Sequence, residues 1–70
     1  MKINEVLKLE NVSKKYNLER DTFQVQYGGS LELICTSGRV NYIGMRIQDI
    51  YSLEKIIQGN FKEVLEDNGR

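Results

Sequence analysis

The chain has no histidine, no proline and no tryptophan, a single cysteine, and no excess charge of either sign. Each absence removes something. Without histidine, the usual general base and the commonest metal ligand are missing. With Cys35 as the one thiol, neither a disulfide within the chain nor a zinc or iron–sulfur site fits. The sequence predicts no metal and no cofactor. Ten Lys and Arg balance ten Asp and Glu, so no global field draws the chain onto nucleic acid or an anionic membrane. No run approaches the roughly 18 apolar residues of a membrane span. The opening Met1-Lys2-Ile3-Asn4-Glu5 lacks the apolar core of a signal peptide. A cytoplasmic protein with no membrane partner is expected, in keeping with a lone thiol in a reducing compartment.

What is present describes a small globular chain: 70 residues, 40% hydrophobic and 29% charged, forming one domain over 1–70. Folding at this size removes about 7,000 Å² from water, roughly 60% of it apolar. At about 25 cal/mol/Å² that contributes roughly 100 kcal/mol. Ordering the chain at about 1.5 kcal/mol per residue costs nearly the same. A monomer so balanced gains from association, and a homodimer is expected.

Periodicity gives the fold class. From Thr22 to Tyr27, Phe23, Val25 and Tyr27 alternate with Gln24 and Gln26, the period of a strand with one buried face. Gly28-Gly29-Ser30 reverses the chain. Leu31 to Thr36 then reads as a second strand, with Leu31, Leu33 and Cys35 on one side. Ser37-Gly38 marks another turn, and Val40 to Ile47 reads as a third strand. In it Val40 and Tyr42 share one parity and Ile43, Met45 and Ile47 the other, with Gly44 at the changeover where a bulge is natural.

Ile50 to Asp67 reads as a helix. At 100° per residue Ile50, Leu53, Ile57, Phe61, Val64 and Leu65 form a core-facing stripe, with Ile56 at its edge. Asp49 or Ser52 supplies the N-cap, and Asp67-Asn68-Gly69 the stop. Gly59 lies opposite the stripe, which favours one continuous helix over a break. The first twenty residues fit either a short helix capped by Asn4 or an extra edge strand over 6–12. The expected class is α+β: a three-stranded antiparallel meander followed by one C-terminal amphipathic helix, with a short N-terminal helix or an edge strand.

Little chemistry can be built from these residues. Cys35 sits mid-strand without a histidine to generate a thiolate, so it reads as a small buried side chain. Glu63, Glu66 and Asp67 lack the spacing and glycine of a calcium loop and read as a solvated helix end. No catalytic residues are assigned, and no enzyme is expected. The stretch Leu7 to Tyr16 is similar to the opening strand of ABC-transporter ATPases. The GxxxxGK[ST] phosphate loop those enzymes need is absent, however.

Two surfaces remain as candidates. The third strand carries more apolar side chains than one helix covers, and with Ile34 it nominates Ile34, Ile43, Met45 and Ile47 as a dimer or partner interface. Edge-to-edge strand pairing is a second geometry for association. The alternative is a small nucleic-acid-binding regulator, using Lys14, Lys15, Arg20, Arg39 and Arg46, with Lys8 nearby. Tyr16, Phe23, Tyr27 and Tyr42 are interleaved with these as stacking residues. The balanced charge weighs against it.

In layout, with its meander over Thr22–Ile47 and helix over Ile50–Asp67, the chain resembles the YopT-like family of small uncharacterised prophage proteins (unrelated to the effector protease of that name). The resemblance implies a homodimer of one-helix, three-strand subunits and supplies no catalytic residues. The leading expectation is a non-enzymatic interaction or regulatory module of phage or prophage origin. Its partner would be a second copy, or a host or phage protein.

Overall fold

Alternation of apolar and polar side chains builds the centre of the molecule. The computed structural model describes residues 1–65. In chain order its elements are α1 (Ile3–Val6), β1 (Lys15–Leu18), β2 (Asp21–Tyr27), β3 (Leu31–Ser37), α2 (Leu53–Gln58) and β4 (Lys62–Glu63). Single 3-10 turns lie at Leu9–Asn11, Val40–Tyr42 and Ile47–Asp49. The fold is α+β: a four-stranded antiparallel sheet in the order β3-β2-β1-β4, with the two short helices packed on one face.

Antiparallel register stacks the buried residues in rows. Tyr16 lies opposite Phe23, which lies opposite Cys35, and Val25 lies opposite Leu33. All five are buried, and with Val6, Leu18, Ile47, Ile56 and Phe61 they form one hydrophobic core. The other face is polar. Lys15, Asn17, Thr22, Gln24, Gln26 and Glu32 occupy the intervening positions, with Ile34 as the apolar exception. Thr22 donates to Asn17 at 2.6 Å and Gln26 to Gln24 at 3.1 Å, which ties this face laterally.

The meander exists, but shifted by one strand toward the N-terminus. β2 and β3 match the alternating runs read from sequence. The third member is β1, joined to β2 by Glu19-Arg20, with Glu19 at φ 57°. The strand expected over Val40–Ile47 does not form. Val40–Tyr42 is a 3-10 turn, Gly44 turns at φ 91°, and only Ile34 and Arg46 form a bridge. Two backbone bonds, Cys35 N to Met45 O and Gly44 N to Cys35 O, lash this strap to the outer edge of β3. The cause lies at its start. Gly38 sits at φ 118° against Asp21, where an added Cβ would stand 2.5 Å from Asp21 Oδ1 and 2.6 Å from Arg20 O. The chain leaves β3 there at an angle no regular third strand can follow.

The long helix expected over Ile50–Asp67 is also absent. Ser52 caps α2 by accepting from the Lys55 N–H at 3.2 Å, and the helix ends after Gln58. Gly59 presses on Leu18, whose Cδ1 would lie 2.9 Å from any Cβ at position 59. Gly59 itself is extended, at φ −64° and ψ 150°, and ends the helix where Leu18 leaves little room for a Cβ. Beyond it Phe61 is buried in extended chain, exchanging backbone bonds with Met1 at 2.7 and 2.8 Å before β4 pairs with β1. The expected helix end at Asp67 and the Asp67-Asn68-Gly69 stop lie outside the described residues. At the N-terminus a helical turn forms, but its cap is Lys2, whose N–H donates to Glu5 at 2.7 Å, and Asn4 lies inside it. No edge strand occupies 6–12.

The tightness at Gly38 has a direct test. Gly38→Ala forces a Cβ into Asp21 and an alanine into positive φ, so it should cost at least about 2 kcal/mol in urea denaturation. Gly28→Ala, with open space around it, should change stability by less than about 1 kcal/mol.

Candidate functional site

Two places in the molecule gather side chains beyond the demands of a simple core. The first is polar. Asp21, at the start of β2, has a side chain with no exposed surface, yet it is fully bonded. Arg39 donates to it from its backbone N–H at 3.0 Å, from Nε at 3.4 Å and from Nη2 at 2.6 Å, and the Tyr51 hydroxyl donates at 2.6 Å. Tyr42 lies against the outer side of the guanidinium, 4.6 Å from its ring centroid. The Arg39 side chain, donating to Asp21, holds the carboxyl down at about 2 against the opposing effect of burial, and Tyr51 adds to the lowering. Burial, then the bond to Asp21, pushes the Tyr51 phenol up to about 12.

A carboxylate that accepts four bonds and has no exposed surface is a poor base for an incoming substrate. Cys35, nearby in β3, is raised by burial and donates to Ser37 O at 3.4 Å, the profile of a buried thiol. This cluster is a fastener: it ties the Gly38–Tyr51 strap to the β1–β2 turn.

The second place is apolar. A groove of about 280 Å³ runs between α1, β3, the end of the strap and α2, lined by Ile3 and Leu7, Leu31, Ile47, Leu53 and Ile57 among others. Its floor is core: Leu33, Ile47 and Ile56 are buried. Its border is a ridge of Leu53 and Ile57, 72% and 54% exposed and four residues apart on α2. In the sequence these two belong to the core-facing stripe and Ile56 to its edge. The six-residue helix turns the other way, burying Ile56 and presenting Leu53 and Ile57 to the outside.

The four residues nominated as an interface do not share one surface. Ile47 is core, with 5% exposure, and does not belong to an outer face. Ile34 pairs with Arg46 on the polar face of the sheet, so Met45 and Ile47, adjacent to Arg46, take the opposite parity. Ile34 and Met45 are half-buried and Ile43 is exposed. On the outer edge of β3 the strap bonds to Cys35 and Leu33 is 1% exposed, whereas Leu31 and Glu32 are half-buried.

The residues nominated for nucleic acid are dispersed. Arg39 is committed to Asp21, and Arg46 pairs with Asp49 at 3.1 Å. Lys15 is half-buried on β1, whereas Lys8, Lys14 and Arg20 are exposed in separate loops. Of the expected stacking residues, Tyr16 and Phe23 are buried in the core, Tyr42 packs on Arg39, and Tyr27 is exposed near the hairpin tip. Among the described residues no helix is long and apolar enough to cross a membrane. Comparison with protein-family models, curated proteins and solved structures finds no match to this chain.

The Asp21 fastener should show in acid. Its folded carboxyl titrates near 2 and an ordinary one near 3.8, so its stabilisation is complete above pH 4 and is lost as pH falls through about 2. The loss is up to about 2 kcal/mol, because solvent screens the partly exposed Arg39. Urea midpoints between pH 5 and 2 should fall more steeply for the natural chain than for Asp21→Asn, which starts less stable but lacks this component.

Proposed function

We propose that the chain is a non-enzymatic interaction or regulatory module, cytoplasmic, homodimeric and of phage or prophage origin, whose contact surface is the groove between α1, β3 and α2. One observation carries the reading: two large aliphatic side chains on α2 stand mostly exposed beside an apolar recess, in a protein whose opposite sheet face is polar. The same helix buries Ile56, so the exposed pair lies on its outward side. Leaving such a ridge in water forgoes roughly 1.5–3 kcal/mol per side chain, a quantity a partner recovers on docking. The energy balance of a 70-residue chain supports a module that works by occupying another protein surface.

The test keeps the fold and removes the ridge. Leu53 is the first helical residue and Ile57 lies in the last turn, so Leu53→Asp with Ile57→Lys suits the helix dipole and leaves net charge at zero. Amine cross-linking in a bacterial lysate, through Lys2 and Lys8, which adjoin the groove residues Ile3 and Leu7 in the chain, should join the natural chain to another protein chain. The yield should fall several-fold in the double variant, with circular dichroism unchanged. Equal yields from both proteins would remove the groove as the contact surface.

A further inference from the structure

We infer that the first part of the strap, Arg39 to Ile43, is a lid over Asp21, which swings on Gly38 and Gly44 while the rest of the strap stays in place. Its attachments single it out. Among the described residues, every hydrogen bond from this segment to the sheet or to Tyr51 starts from Arg39. The Arg39 backbone N–H, Nε and Nη2 reach Asp21, and Nη2 reaches the Tyr51 hydroxyl at 3.2 Å. The other backbone bonds of the segment stay within the strap: Tyr42 N to Arg39 O, Ile43 N to Val40 O and Met45 N to Tyr42 O. No residue from Arg39 to Ile43 is buried. Tyr42 packs at the margin of the core and on the Arg39 guanidinium.

Hinges and pins bound this segment. Gly38 at φ 118° and Gly44 at φ 91° hold a backbone conformation that costs glycine little, and a few such positions absorb the rotation of a lid. At the second hinge the strap is pinned to β3. Gly44 N donates to Cys35 O at 2.7 Å, and Cys35 N to Met45 O at 2.9 Å. Further on, Ile47 lies in the core and the Tyr51 hydroxyl holds Asp21 at 2.6 Å. The groove residues Ile47 and Gln48 come after the pin. The lid therefore opens without moving the groove, and does not depend on that surface having a partner.

Opening is compatible with a charged Asp21. A carboxylate left in an apolar core without Arg39 would be prohibitive. Here the closed lid is what keeps water away: the Asp21 side chain has no exposed surface, while the Arg39 side chain against it is 39% exposed. When Arg39 swings out, water takes its place on the carboxylate and Tyr51 continues to donate. The closed lid withholds an anionic acceptor, and the open lid presents it beside a phenol hydroxyl.

Native-state hydrogen exchange of the intact chain, read by NMR in urea well below the unfolding transition, tests this. The Arg39, Tyr42 and Ile43 amides should exchange together, at least about tenfold less protected than the Val25 N–H, which bonds to Lys14 O in the sheet. They should show almost none of its urea dependence. Arg39→Gln should speed Tyr42 and Ile43 by about tenfold or more, through loss of charge-assisted bonds. Because that variant also loses overall stability, Tyr42→Leu supplies a second reading. It keeps the ion pair, removes only the ring from the guanidinium, and should speed the lid amides roughly two- to fivefold. If the lid amides carry the urea dependence of Val25, lid and sheet open only together and the lid is overturned. If they lack it but Tyr42 and Ile43 ignore the loss of Arg39, the turn frays without a catch at Asp21, and the inference falls as well.

Discussion

A buried carboxylate governs the shape of this protein more than any apolar contact does. Asp21 sits at the corner where β2 begins, with its side chain wholly out of water. A charge so placed is tolerable only when its partners are fixed around it, and here they are Arg39 and Tyr51. Those two residues come from opposite ends of the strap that follows β3, so bonding both to one carboxylate sets where the strap starts and where it finishes. The 3-10 turns, the single bridge at Ile34 and the placement of Ile47 in the core are consequences of that double attachment. So is one side of the groove, because Ile47 and Gln48 lie on the strap between the two anchors.

This explains which parts of the fold were legible in the sequence. β2 and β3 are visible because the period-two pattern from Thr22 to Thr36 is enforced locally, one residue against the next, with glycines at the turn. β1 is nearly invisible. It is four residues long with two apolar positions, Tyr16 and Leu18, and its turn, Glu19-Arg20, contains no glycine or asparagine to announce it. The strap reads as a strand because Val40, Tyr42, Ile43, Met45 and Ile47 have strand composition, while the residue that bends it, Asp21, lies seventeen positions before Gly38 in the chain. Composition over eight residues carries no trace of a partner that far away. The parity change at Gly44 was the one local sign of irregularity.

The helix illustrates a different failure. The stripe from Ile50 to Leu65 has good 3.6-residue spacing, yet its members belong to separate structures: Leu53 and Ile57 to α2, Phe61 to the extended segment clasped to Met1, and Val64 to the end of β4, where its N–H bonds to Lys15 O. Spacing predicts a face only within one continuous helix. With Gly59 extended, the helix is held to fewer than two turns, and its orientation follows its burial. It buries Ile56, and the residues assigned to the core become the exposed ridge. The sequence nominated Ile34, Ile43, Met45 and Ile47 as surplus apolar surface; of these Ile43 is exposed, Ile34 and Met45 are half-buried and Ile47 is core, and the exposed Leu53 and Ile57 of α2 were not among them.

Fastener and ridge are linked by the limits of a small chain. A four-stranded sheet with one covered face offers a narrow core, and the rows Tyr16–Phe23–Cys35 and Val25–Leu33 with Ile47, Ile56 and Phe61 already fill it. An ion pair closes the corner at Asp21, so no further apolar side chains are drawn in at that end. Some of the remaining aliphatics, Leu53 and Ile57 among them, lie where α1, α2 and the strap meet without sealing. An open seam of this kind costs stability in a monomer, since its walls are wetted and its ridge is unpacked. In an assembled state the same seam is the part of the molecule with most to gain from contact. Under the proposed function, the arrangement that limits the core of the chain is the one that gives it a surface for a partner.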